Sequence, residues 1–139
     1  MSVKSLIKKM NILMKTNKAE LAMAVSMQTS TTKRIFEDGK AADGVALGDY
    51  SEGYLKTRQK NNWTDSKKII LQATGQMHKD FSVINNGKGL GLGFKNSDNL
   101  EKSYLVEATY KKRIFAATDD EVDLSMKLFE KNVKEILNG

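Results

Sequence analysis

His78, Asp80 and Ser82 fall within five consecutive residues and are the side chains from which this chain could assemble a base and a nucleophile. A general base needs an orienting partner and a nucleophile within hydrogen-bond reach. On a helical turn His78 and Ser82 would be neighbours, but the chain is expected to turn to strand there. Neither a glycine elbow nor an oxyanion-hole motif accompanies them, so His78 reads as a surface histidine at a helix end. The run Gly87-Lys88-Gly89-Leu90-Gly91-Leu92-Gly93 suggests a phosphate loop. A Walker motif requires Gly-Lys-Ser/Thr opening a helix, whereas this run lies in a hairpin pattern. Asp119, Asp120, Glu121 and Asp123 offer oxygens for calcium, without the central glycine of an EF-hand loop. Helix capping accounts for them. Lys56, Arg58, Lys60, Lys67 and Lys68 bracket Trp63, with Tyr50 and Tyr54 upstream, a composition that can hold single-stranded nucleic acid by charge and stacking. Glu52 and Asp65 dilute that patch, and no standard nucleic-acid motif is present.

Composition narrows the chemistry further. The 139 residues include no cysteine, no proline and one histidine. Those counts exclude a disulfide scaffold, a zinc ribbon, a thiol nucleophile and a two-histidine metal site within one chain. The expectation is a non-catalytic protein without metal or cofactor. Residues 1–34 carry seven Lys/Arg against one acid, Glu20, and account for a charge of +6, equal to the net charge of the whole chain. A basic segment of this kind meets nucleic acid or anionic lipid, or is simply a solvated helix face. The lysines are spread along the segment, which favours the last. Lys8, Lys9 and Asn11 interrupt Val3–Met14, so neither a secretory core nor a membrane span is expected, and the chain reads as soluble and made in a reducing cytoplasm.

The elements that must position these residues follow from periodicity. Ser2 can cap a helix whose apolar positions are Val3, Leu6, Ile7, Met10, Leu13 and Met14, resuming at Leu21, Ala24, Val25 and Ile35. With no glycine or proline to stop it, one helix over 1–36 is expected, the alternative being two helices that meet at Asn17. Residues 38–53 form a glycine-punctuated loop of the kind that orders on docking. Tyr54–Trp63 is compatible with a short helix. Phe81–Ile84, the turn Asn85-Asn86-Gly87-Lys88-Gly89 and the alternation Leu90-Gly91-Leu92-Gly93-Phe94 predict a β-hairpin over 81–95. Leu90, Leu92 and Phe94 share one face; the glycines share the other, where close packing of another backbone or helix is expected. Arg113-Ile114-Phe115-Ala116 is a third strand candidate. Thr118 and Glu121 form a capping box opening an amphipathic helix over 119–137. The fold class is α+β in a single domain: a long amino-terminal helix, a small antiparallel sheet with a central hairpin, and a carboxy-terminal helix.

The order of these features resembles the virion morphogenesis, or tail-completion, proteins of tailed bacteriophages, the Mu-like group in particular. The resemblance covers roughly residues 20–137. Its most specific element is a hydrophobic-Leu-x-x-Thr-Gly-x-hydrophobic run, matched by Leu71, Thr74, Gly75 and Met77, with Met where Leu is usual. Phe36 and Gly39 match the aromatic and glycine closing the first helix, and Arg113 and Phe115 the late Arg-x-aromatic element. Tyr54 and Lys60 resemble the aromatic and basic positions after the loop. Val45-Ala46-Leu47 stands where the family often has Trp, and Tyr104–Tyr110 lacks the usual His and Gly. What the resemblance implies is a structural protein of the head–tail junction of the virion, a ring of about six copies meeting connector, portal-side and tail-tube proteins. Non-specific contact with passing DNA is compatible with the basic first helix. Leu90, Gly91, Leu92, Gly93 and Phe94 are the candidate assembly interface. The competing reading is a small basic nucleic-acid-associated protein.

Overall fold

A computed structural model describes residues 2–85, 87 and 89–138. Met1, Gly139 and two positions of the expected hairpin turn, Asn86 and Lys88, lie outside the described residues. The fold is mixed α+β. The elements are α1 (Val3–Thr32), a π-helical turn (Lys33–Glu37), α2 (Glu52–Lys60), α3 (Gln76–Asp80), β1 (Phe81–Asn85), β2 (Leu90–Phe94), α4 (Ser97–Tyr110) and α5 (Asp119–Asn138).

α1 runs unbroken through Asn17, with the Ser2 hydroxyl accepting from the Ser5 N–H at 3.1 Å. Its last turn widens into the π-helical segment, and the result is three consecutive buried side chains, Arg34, Ile35 and Phe36. A regular α-helix spreads three consecutive residues over more than half its circumference, so the wide turn is what aims all three inward. Gly39, at φ +66°, then reverses the chain.

The core gathers around Phe36. Phe36, Phe81, Phe94 and Phe115 lie with ring centroids 5.3–6.5 Å apart, joined by Ile35, Ala41 and Ile114. The hairpin pairs Phe81 with Phe94 and Val83 with Leu92, which turns the leucine-aromatic face of β2 to this core.

Three expectations are corrected. The loop given as 38–53 ends at Ser51, whose hydroxyl caps α2. It is also tied down within the chain: Leu47 N–H donates to Gly39 O, Ala41 N–H to Val45 O, Tyr50 N–H to Lys67 O and Ile69 N–H to Gly48 O. Residues 113–116 form no strand. The Ile114 and Ala116 carbonyls accept from the Arg34 guanidinium, and the Arg113 carbonyl from Ala42 N–H, so their acceptors serve a side chain and a loop instead of a sheet ladder. The sheet therefore has two strands. Between hairpin and α5 stands α4, a helix that the periodicity did not reveal, capped by Asn96.

α5 begins with the expected capping box: Glu121 N–H donates to Thr118 Oγ1 and Thr118 N–H to Glu121 Oε1. It lies antiparallel on α1. Glu121 meets Thr31 and Arg34 at one end, and at the other Asn132, Glu135 and Ile136 line a shared cleft with Lys15, Lys18, Ala19 and Ala22.

Arg34 Nε donates to Glu121 Oε2 at 2.9 Å, with both side chains about nine-tenths buried. Its Nη1 donates to Lys40 O and Ile114 O, and its Nη2 to Ala116 O. Burial pushes the Glu121 carboxyl up, but hydrogen bonds and charge from Arg34, with Thr118 N–H and Thr31, outweigh it and hold the group below the usual carboxylate range. A depressed folded-state value means the stabilisation is complete above the unfolded value of about 4.3 and is lost as pH falls through the lower folded one. Chemical denaturation between pH 7 and pH 3 should show this loss, and Glu121→Gln should flatten it. Glu121→Ala, which leaves Arg34 buried without its charge partner, should lower stability by about 3–5 kcal/mol at pH 7.

Candidate functional site

The residues singled out for chemistry are drawn into structural work. His78 is half-buried and its ring stacks on Phe36, centroids 5.0 Å apart and planes 15° apart. The Asp80 carboxylate accepts from Asn96 N–H and the Asn99 amide, which hold it below its ordinary pKa. Ser82 donates to Asp80 O. These bonds join α3 to the start of α4 and do not bring Asp80 or Ser82 to His78. Glu121 is taken by the capping box and Arg34, and among the described residues no group of three or more His, Cys, Asp or Glu could hold a metal ion.

Of the basic-aromatic segment, Arg58 is folded inward, while Lys56, Lys60, Lys67 and Lys68 are exposed. Arg58 is 3% exposed, and its Nη2 donates to Thr64 O and Gln72 O. Its guanidinium sits 4.5 Å from the Tyr50 ring centroid, and Tyr54 bridges Tyr50 and Trp63 at 5.0 and 6.2 Å. The Arg58 charge and the tyrosine rings stack on each other, so this cluster fastens α2 to residues 63–72.

The family-motif positions converge on Phe36. Leu71 and Met77 pack against the core, Gln72 Nε2 donates to Phe36 O at 2.7 Å, and Phe115 meets the Phe36 ring edge-on to tilted at 6.5 Å. Gly75 opens α3 at φ +83°, and Leu71 also takes a positive φ, +54°. At Gly39 a Cβ would collide with the Ile69 carbonyl oxygen. Thr74 and the Arg113 side chain are exposed. Most of the motif positions therefore serve the fold, and Thr74 and Arg113 are those that reach the surface.

Of the candidate interface, Phe94 is in the core and Leu92 packs against it, while Leu90 is half-buried at the hairpin end. The glycine face is the outward one. A Cβ at Gly91 or Gly89 meets open space, and one at Gly93 meets the Ile84 side chain across the hairpin. Among the described residues no second backbone or helix approaches Gly89, Gly91 or Gly93, contrary to the expected close packing.

The largest uncovered apolar surface is on α1. Val3, Leu6, Ile7, Met10, Leu13 and Met14 are 49–74% exposed, and Leu21 and Val25 continue the row at about half exposure. Ala19, on the α5 side, is nine residues from Met10 and thus half a turn out of phase with the stripe. Higher up, at Ala24 and Gln28, the hairpin covers the stripe, with Gln28 Nε2 donating to Phe81 O. Below that point nothing among the described residues covers it. The periodicity showed this stripe but not that the helix would outrun its partner.

No helix among the described residues is long and apolar enough to cross a membrane. No family model, curated protein or solved structure matches the chain.

Two pairs of substitutions separate structural glycines and leucines from surface ones. Gly39→Ala should cost about 2 kcal/mol or more, from both the positive φ and the collision, measured by urea unfolding. Gly91→Val should leave monomer stability within about 0.5 kcal/mol, so that any loss is seen only in assembly. Leu92→Asp sets a carboxylate against the phenylalanine cluster and should lower stability by about 3 kcal/mol or more. Equal unfolding midpoints for Leu92→Asp and Gly91→Val would mean that the hairpin faces are assigned the wrong way round.

Proposed function

We propose that this chain is a structural, non-catalytic subunit of the head–tail interface of a tailed bacteriophage, working by assembly into a ring of about six copies. The observation that carries the reading is the bare apolar stripe of α1, a surface that a chain working alone would not leave in water over about three helical turns. The order of motifs supports the same role, and of the positions that resemble the tail-completion family Phe36, Leu71, Met77 and Phe115 lie in or against the core. In this reading the virion's connector or portal-side proteins and its tail-tube proteins are the neighbours of the ring. The lysines of α1 are free to face passing DNA without reading its sequence.

Light scattering and negative-stain imaging over a wide concentration range, at low and high salt, test the reading. Closed rings of about six subunits, unchanged by added DNA, are expected. A monomer that binds duplex DNA with affinity falling steeply as salt rises would favour the small basic nucleic-acid-associated protein instead.

A further inference from the structure

α5 ends beside Lys15–Ala22, so the first three turns of α1 project beyond it as a helical arm. Over the first two heptads the apolar positions of the arm recur seven residues on, Val3 with Met10, Leu6 with Leu13 and Ile7 with Met14, and Leu21 continues the last of these. A seven-residue repeat is the pattern of a helix packed lengthwise on another helix. Lys9 and Lys18 flank the stripe and Lys4, Lys8 and Lys15 lie on the other faces of the helix, with no acid before Glu20.

A matching surface exists elsewhere on the molecule. Along α5 an apolar row, Val122, Met126, Phe129, Val133 and Leu137, lies at the edge of its contact with α1, and Met126 and Leu137 are 48% and 67% exposed. Asp119, Asp123 and Glu130, all exposed, border that row on its outer side. Val3 to Met14 spans about 17 Å and Val122 to Leu137 about 22 Å, so the arm fits within the length of the row.

We propose that the arm of one copy docks along the outer edge of α5 in the next copy. The contact rests on the assembly reading above and names its surface. Two different patches meet, which makes the contact head-to-tail, the kind that closes a ring when the rotation closes. Charge selects this occupant over the obvious alternative. Two arms packed on each other bring together two segments that each carry five lysines and no acid, whereas α5 carries six acids against three lysines.

The chain has no cysteine, so introduced thiols report alone. Single-cysteine variants Met10→Cys and Met126→Cys, both at exposed positions, are mixed and treated with a short bismaleimide. Within one copy residue 126 sits beside the upper part of α1, about 25 Å from residue 10, so a 10–126 adduct is intermolecular. The expected result is that this adduct exceeds the 10–10 adduct at least tenfold and fades at high salt. Leu6→Asp combined with Leu13→Asp should weaken association at least tenfold with an unchanged melting temperature, since both side chains are already exposed. A dominant 10–10 adduct overturns the proposal in favour of arm self-pairing. Rings that form without the 10–126 adduct overturn it while leaving the assembly reading intact. A chain that stays monomeric and yields no adduct at the highest concentration overturns it as well, as does arm-dependent binding to anionic vesicles in place of the adduct.

Discussion

A guanidinium removed from water must be met by acceptors on every side, and Arg34 finds them on three separate stretches of chain. Glu121 comes from α5, the Lys40 carbonyl from the loop after α1, and the Ile114 and Ala116 carbonyls from the segment before α5. Each acceptor left out would strand a buried donor, so the four placements are coupled. This explains how residues 113–116 hold a fixed course without strand pairing. It also explains how Ile114 and Phe115 reach the core: the carbonyls on either side of them are pinned to Arg34. The same carboxylate that neutralises Arg34 closes the capping box of α5, so the start of that helix and the end of α1 are set by one group.

Around this knot the apolar core is small. Four phenylalanines, two isoleucines and an alanine make up its buried members. Polar fasteners carry what the core cannot. Arg58 binds two carbonyls and two tyrosine faces to hold α2, Asp80 binds the start of α4, and the Gln72 amide holds Phe36 O. The side chains that looked chemically useful in isolation are therefore spent on architecture. His78 is the plainest case, since its ring covers a face of Phe36 and leaves Asp80 and Ser82 to other partners.

Helices α1 and α5 and the hairpin were legible because each has a long, regular pattern and a named cap: Ser2, the Thr118–Glu121 box, and strict alternation in Leu90–Phe94. α4 was not, because its two buried positions are Asn99 and Ser103 while Leu100, Tyr104 and Leu105 point outward, inverting the polarity that periodicity relies on. Ile114-Phe115 looked like a strand because the pattern records burial and not what the carbonyls bind. Arg34 gave no signal at all: a basic residue in a basic helix looks solvated until the π-helical turn rotates it inward. The exposed α1 stripe is a different failure. The amphipathic pattern was read correctly, but a pattern does not tell whether the partner belongs to the same chain.

Isolated helices of about a dozen residues are marginal in water, because fixing the first turn is unfavourable and later turns add little each. The arm escapes that limit by continuing a helix already nucleated where α1 packs on α5 and the hairpin. It is thus held straight before any partner arrives, and docking then orders few backbone torsions. That matters for a surface of only a few leucines, isoleucines and methionines, whose gain on burial a flexible segment would largely forfeit to ordering. Placing the lysines on this arm and the excess acids at the carboxy-terminal helix makes the protomer electrically polar along its longest element. Like ends then repel and unlike ends attract, which is the condition for copies to meet head to tail and not arm to arm.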